Sequence, residues 1–315
     1  MGSSSNRGIR VIAYLLLSAG LWSGLGCNRV HVPPYSEAEE LKFRADERKD
    51  LSGPRGDLAQ LRNQVIEGTT SVGNGPERVK LEHWPGQPME LAVNGKDIVV
   101  TKVSGDALLD GRPMTDGEVI PPAEKGQQHW ITNGPISIRM TKHKQERWLQ
   151  VLDAKSEPLQ TLHALNFYPP SPRYRVAAEW VPLAGGYGLT YHRTNGGSDL
   201  AETAPGYVEF LLDGKRYRLY ATLEEGMLYI VFRDQTSKTE TYPSARFLEI
   251  LFDSRAFDPS HPFDPSKRTK MALDFNQAVN PACAYNPNTH CPIAPPENRL
   301  PIAIPAGEKR YHPVD

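Results

Sequence analysis

The sequence predicts a mainly β fold: antiparallel sandwich or barrel regions, a short N-terminal helix and a proline-rich C-terminal coil. Three observations carry that expectation. From about Val79 onward the chain is written in short runs that alternate apolar and polar residues, the period of a half-buried strand. Turn pairs such as Asn94-Gly95, Asp110-Gly111, Asn133-Gly134 and Asp213-Gly214 separate many of those runs. No long helical periodicity interrupts them, and no solenoid-type repeat is present.

Residues 1–27 read as an export signal. Arg7 and Arg10 supply a positive start, and Val11 to Trp22 form an apolar core of the matching length. Ser23-Gly24-Leu25-Gly26-Cys27 is similar to a bacterial lipobox, in which Cys27 would be lipidated, although Gly24 stands where an aliphatic residue is usual. Residues 28–35, with two prolines, are a tether. Residues 36–68 form a helical segment: Ser36 and Glu39 make a capping box, with Ala38, Leu41 and Ala45 on one face. Asp57 would cap a second short helix carrying Leu58, Leu61 and Val65 and ended by Gly68.

Residues 79–165 are expected to form a small β subdomain, with strands at Met89 to Val93, Lys96 to Val103, Ile136 to Met140 and Trp148 to Leu152. Residues 166–315 form a second. Its strands run Tyr174 to Val181, Gly188 to Arg193, Tyr207 to Leu212, Lys215 to Thr222, Met227 to Arg233, Arg246 to Phe252 and Met271 to Phe275. The block from Asp274 to Lys309 closes the chain with seven prolines between Pro281 and Pro305. Prolines fix φ and remove donors, so ladder hydrogen bonds alone will not hold that block.

Cys283 and Cys291 remain once Cys27 is assigned to lipid, an even pair in an exported chain, and a disulfide is the simplest reading. It would close a short loop and contribute about 2.5 kcal/mol. A metal pair with His290, or a reactive thiol, stays open beside it. The expected location is the bacterial envelope, with the bilayer as partner through Cys27. Lys plus Arg total 36 and Asp plus Glu 37, so bulk charge draws neither nucleic acid nor anionic ligands.

Phosphate-loop, dinucleotide, nucleophile-elbow and His-Glu-x-x-His motifs are all missing from the sequence. No cofactor is expected. His261, between Asp258 and Asp264, lies in a proline-rich turn and reads as turn polarity. Two polar clusters carry the candidate ligand-binding residues. One contains Asp234, Thr236, Tyr242 and Arg246; the other contains Asp274, Asn276, Asn280, Tyr285, Asn298 and Arg299. Asn and Asp in such coils usually serve their own backbone. An acid, several amides, a tyrosine and an arginine on a rigid coil also describe a polar pocket wall.

FRDQTSKTETYPSARFL, followed by DFNQAVNPACAYNPNTHCPIAPPENRLPIAIPAGEK, closely resembles the bacterial domain of unknown function 1684 family. Asp234, Thr236, Thr241, Tyr242, Arg246, Asp274, Asn276, Asn280, Cys283, Cys291, Glu297, Asn298, Gly307 and Glu308 fall on its pattern. His290 and Pro243 depart from it. The resemblance implies no known activity. The leading expectation is an anchored envelope protein whose β-rich module binds a small polar or glycan-like ligand. The alternatives are a hydrolase using Asp274 or Glu297 with Arg246 and Tyr242, and a purely structural envelope component.

Overall fold

The protein is described by a computed structural model covering residues 32–311, except 76–78, 96, 104, 121–127, 144–145, 195–198 and 225. Cys27 and the export signal expected at residues 1–27 lie outside the described residues. No helix among those described is long and apolar enough to cross a membrane. The described residues divide into two compact units: residues 48–163 with 285–289 belong to the first, and residues 32–47, 164–284 and 290–311 to the second.

Helix α1 (Glu37–Leu51) starts where Ser36 predicts it, with Ser36 Oγ accepting from the Glu39 amide at 3.4 Å. Its inward seam differs from the expected one. Ala38 and Ala45 are exposed and Leu41 is 53% exposed, while Glu40 and Glu47 are buried. The apolar triad suggested a hydrophobic seam. The helix instead turns Glu40, Phe43 and Arg44 towards the second unit's β structure, because that surface offers charged and amide partners.

The first unit is a pair of sheets over one apolar cluster. Its strands are β1 (Gln60–Ile66), β2 (Thr69–Gly73), β3 (Val79–Lys80), β4 (Met89–Asn94), β5 (Asp97–Lys102), β6 (Leu108–Leu109), β7 (Arg112–Pro113), β8 (Glu118–Ile120), β9 (Trp130–Asn133), β10 (Ile136–His143) and β11 (Glu146–Asp153). One sheet runs β1-β11-β10-β9-β6-β7 and the other β3-β2-β4-β5-β8. Alternation places Ile66, Met89, Leu91, Val100, Ile138 and Leu149 in the shared core. The helix expected from Leu58 to Gly68 is a short 3-10 turn, Asp57–Ala59, followed by β1. Pairing of β1 with β11 decides the matter, since tertiary partners override a weak local helix signal. The segment 285–289 is fastened within this unit by Asn286, whose Nδ2 donates to the carbonyls of Asp57 and Gln60, both at 2.8 Å.

The second unit is built on β12 (Arg175–Tyr191), β13 (Leu200–Leu212), β14 (Lys215–Glu224), β15 (Met227–Phe232), β16 (Arg246–Leu251) and β17 (Thr269–Asp274). They form one antiparallel sheet in the order β16-β15-β14-β13-β12-β17. Asp213 and Gly214 both take positive φ, 50° and 73°, the type I′ geometry that joins β13 to β14. Both faces are covered. Leu219, Ala221, Leu228, Ile230 and Phe232 face one core, and Tyr220, Tyr229, Val231 and Phe247 face the other. The register of β12 on β13 breaks between Pro182 and Tyr187, where Gly185 and Gly186 have φ of 80° and 71°. This bulge carries Tyr187 outward.

Candidate functional site

The C-terminal block runs along the second unit as a coil with three 3-10 turns, Phe275–Gln277, Ala282–Ala284 and Pro296–Asn298. Its polar side chains gather into separate clusters. Most are buried and bonded to backbone.

Asp234, Thr236 and Arg246 come together as expected. Asp234 caps the turn Gln235–Lys238, with Oδ1 accepting from Thr236 N at 2.7 Å and Thr236 Oγ1 at 2.6 Å. Its Oδ2 accepts from Arg246 at 2.6 Å, and neither side chain of that pair is solvent-exposed. Arg246 also donates to the Ile304 carbonyl at 3.1 Å and to the Ala306 carbonyl, while its guanidinium lies 5.2 Å from the centre of the Phe232 ring. Prolines flank those two carbonyls at Pro301 and Pro305. The arginine therefore supplies the donors that a strand neighbour would otherwise give to the coil.

Asn298 does similar work at a gap in the sheet. The β14–β15 ladder pairs only Thr222–Glu224 with Met227–Tyr229. Farther along, Asn298 inserts its amide between the strands. Oδ1 accepts from Tyr220 N at 2.8 Å, and Nδ2 donates to the carbonyls of Tyr220 and Val231, both at 2.9 Å. Backbone bonds from Arg233 N to Asn298 O (3.0 Å) and from Leu300 N to Arg233 O (2.7 Å) then lay the coil beside the chain leaving β15. Arg299, next in sequence, is exposed and reaches only the Ala294 carbonyl.

Asn280 joins the end of the block. Glu308 accepts from its backbone amide at 2.9 Å, and its side chain donates to the Lys309 carbonyl at 2.8 Å. Gly307 is required there. Its φ is 75°, and a Cβ would lie 2.4 Å from the Ala278 carbonyl oxygen.

Asp274 and Asn276 belong to another cluster, one the sequence did not indicate. Asp274 Oδ1 accepts from the Asn276 amide and side chain, and Oδ2 from Arg175 at 3.3 Å. Arg175 also donates to the carbonyls of Pro33 and Arg255. Glu40 of α1 completes it, with Oε1 accepting from Gln277 at 3.1 Å. Burial, together with the charge of Asp274 and a hydrogen bond to it, pushes the Glu40 carboxyl up to about 8. Its Oε2 is buried with no partner while ionised. A proton on Glu40 resolves this by making the carboxyl a donor to Asp274.

Tyr242 is remote from that chemistry. Its hydroxyl donates to the Cys283 carbonyl at 3.3 Å and contacts Cys283 Sγ at 3.7 Å. Cys283 and Cys291 lie side by side, with Cys283 N donating to Cys291 Sγ at 3.2 Å, but both are thiols where a bond between them was expected. No group of three or more His, Cys, Asp or Glu suited to a metal occurs among the described residues. Tyr285 belongs with residues 286–289 to the first unit.

One exposed feature was missed. Tyr187 is 37% exposed, and its ring stacks on Tyr220 at 4.4 Å with 24° between planes. Tyr207 meets Tyr220 edge-on at 5.8 Å, and the Arg218 guanidinium lies over both Tyr207 and Tyr220. The Tyr187 hydroxyl donates to Glu297 at 3.3 Å. On the same sheet face, burial and the charges of Glu249 and Glu202 raise Glu224 to about 7. The signal in the sequence was the Gly185-Gly186 pair before Tyr187, which predicts a bulge rather than a continued strand.

No curated protein matches the chain. Among solved structures it is similar to the solution structure of an uncharacterised protein of Haloarcula marismortui. The two are 27% identical over 48% of this chain and 78% of that one, with a TM-score of 0.37. Residues 160–309 match the family described as "Protein of unknown function (DUF1684)". That stretch holds the sheet of the second unit and the coil fastened to it.

Proposed function

We propose that this protein is an exported, lipid-anchored envelope component whose second unit binds a small glycan-like ligand on its tyrosine surface. The observation that carries the reading is the exposed Tyr187 ring, stacked on Tyr220 and flanked by Arg218 and Glu297. A sugar presents an apolar C–H face to an aromatic ring and hydroxyls at its rim. Stacked tyrosines with a cation and a carboxylate at the edge offer both kinds of contact. The ligand site is thereby moved from the residues expected in the sequence, because Asp234, Arg246, Asn276, Asn280 and Asn298 are buried and bonded to backbone or to one another. Anchoring through Cys27 and closure of Cys283 and Cys291 to a disulfide in an oxidising compartment are parts of the same reading.

The hydrolase alternative draws less support. Asp274, Arg246 and Tyr242 serve three separate clusters, and of that set only Glu297 reaches the tyrosine surface. The structural alternative is favoured by one observation, the use of Arg246 and Asn298 in holding the coil.

Neutral oligosaccharides titrated into the mature protein test the ligand reading, followed by amide chemical-shift changes. Shifts should cluster on β12 to β14 and weaken at least tenfold in Tyr187→Ala. Saturable shifts unaffected by that substitution, or none across a glycan panel, would reject it. Metabolic labelling with palmitate, lost in Cys27→Ser, tests the anchor.

A further inference from the structure

The coil keeps its place without a covalent staple, and that frees its two sulfurs for another role. Arg246 holds the Ile304 and Ala306 carbonyls, Asn298 bridges two strands, and Asn280 closes on Glu308, all with both cysteines as thiols. The two sulfurs also differ. Cys291 is fully buried in the core that contains Tyr229 and Phe247, whereas Cys283 is only half-buried.

A hydroxyl donor and a second thiol lie beside the Cys283 sulfur. The Cys283 amide donates to Cys291 Sγ at 3.2 Å, the Tyr242 hydroxyl stands 3.7 Å from the Cys283 sulfur, and Cys291 is itself positioned by its amide's 3.3 Å bond to Thr194 Oγ1. Donors that stabilise a thiolate raise its population at neutral pH, and an adjacent second thiol is the geometry of a resolving pair. Hydrogen bonding to the sulfur, the Cys291 thiol's first, outweighs burial and brings the Cys283 thiol down to about 7.

We propose that Cys283 and Cys291 form a thiol–disulfide exchange site for small-molecule disulfides, with Cys283 the attacking sulfur and Cys291 the resolving one. The inference goes beyond the ligand reading and stands without it. The Cys283 thiolate attacks one sulfur of a small disulfide, forming a mixed disulfide and expelling one small thiolate. Cys291 gives its proton to solvent and attacks the Cys283 sulfur, forming the protein disulfide and expelling the second. The protein dithiol is oxidised by two electrons, and the small disulfide is reduced to two thiols.

Glutathione disulfide is the probe. The mature protein is first reduced with dithiothreitol, then exposed to glutathione disulfide at neutral pH and followed by intact mass. The wild type should lose two hydrogens. Cys291→Ser should stop with one glutathionyl group on Cys283, and Cys283→Ser should not react. Because Cys291 is a core residue, the rate of iodoacetamide capture at Cys283 in the wild-type protein gives a second readout. That rate should rise with a midpoint near pH 7, and Tyr242→Phe should shift the midpoint upward. Three results would each overturn the proposal: a disulfide that dithiothreitol reduces only in denaturant, capture at Cys291 ahead of Cys283, or a capture midpoint at the ordinary thiol value of about 8.5.

Discussion

Replacing Arg246 with Met should be among the most damaging substitutions in the second unit. The side chain is 0% exposed, as is its partner Asp234. Met fills much of the volume but leaves the Asp234 carboxylate buried beside Thr236, and it strips the Ile304 and Ala306 carbonyls of their donor. Breaking one side of a buried pair costs about 3–5 kcal/mol. Each orphaned carbonyl adds about 1–3 kcal/mol when water cannot reach it. The coil can open to let water in, so the net expectation stays near 3–5 kcal/mol, a fall of about 6–20 °C in melting temperature. Urea unfolding with pulsed amide exchange reads the second unit apart from the first. Adding Asp234→Asn to Arg246→Met removes the stranded charge and should cost less than Asp234→Asn alone, a coupling of about 1–3 kcal/mol. Arg299→Ala, at an exposed neighbour, should stay within about 0.5 kcal/mol. A loss below about 1 kcal/mol for Arg246→Met would refute the idea that this arginine holds the coil.

The Glu40 carboxyl makes a pH prediction. Its folded value of about 8 lies above the unfolded 4.5, so its stabilising contribution is full below about pH 4.5 and is lost as pH rises through about 8. Thermal melts of the wild type should therefore weaken between pH 5 and pH 9, and Glu40→Gln should flatten that slope. A residual slope of the same sign should persist from Glu224, which is raised to about 7. Asn298→Ala removes three bonds to the strand backbones and should cost about 3 kcal/mol by urea denaturation. Gly307→Ala combines a positive φ with a clash on the Ala278 carbonyl and should cost about 2–4 kcal/mol. Thermal unfolding of the full chain checks it, with the open Gly214→Ala as a milder comparison.

The strands were legible because alternation and hairpin turns are local signals. Lys215 to Thr222 lies within β14, Asp213-Gly214 turns the chain at the expected place, and β4 and β5 pair as the hairpin expected around Asn94-Gly95, with Asn94 the last residue of β4. The seam of α1 was not legible. Ala38, Leu41 and Ala45 fit an apolar stripe, but Glu40 turns inward to meet Gln277, 237 residues away. No window along the chain reveals such a partner.

The coil shows the same limit. Two cysteines in a proline-rich stretch suggested a staple, and only the structure reveals Asn298 filling a gap in the sheet 78 residues away. Arg246, Asn280, Asn298 and Glu308 supply hydrogen bonds that hold a coil which prolines prevent from pairing fully.

Amide hydrogen exchange on the wild-type protein tests that claim most directly. Bonds from Leu300 to Arg233, Glu308 to Ala278 and Lys309 to Asn166 should protect the peptide spanning residues 298–309 nearly as well as β15, with both cysteines reduced. Protection of that peptide should collapse in Arg246→Met while the first unit is unchanged. Rapid exchange of residues 298–309 in the reduced wild type, with protection appearing only on disulfide formation, would contradict the account.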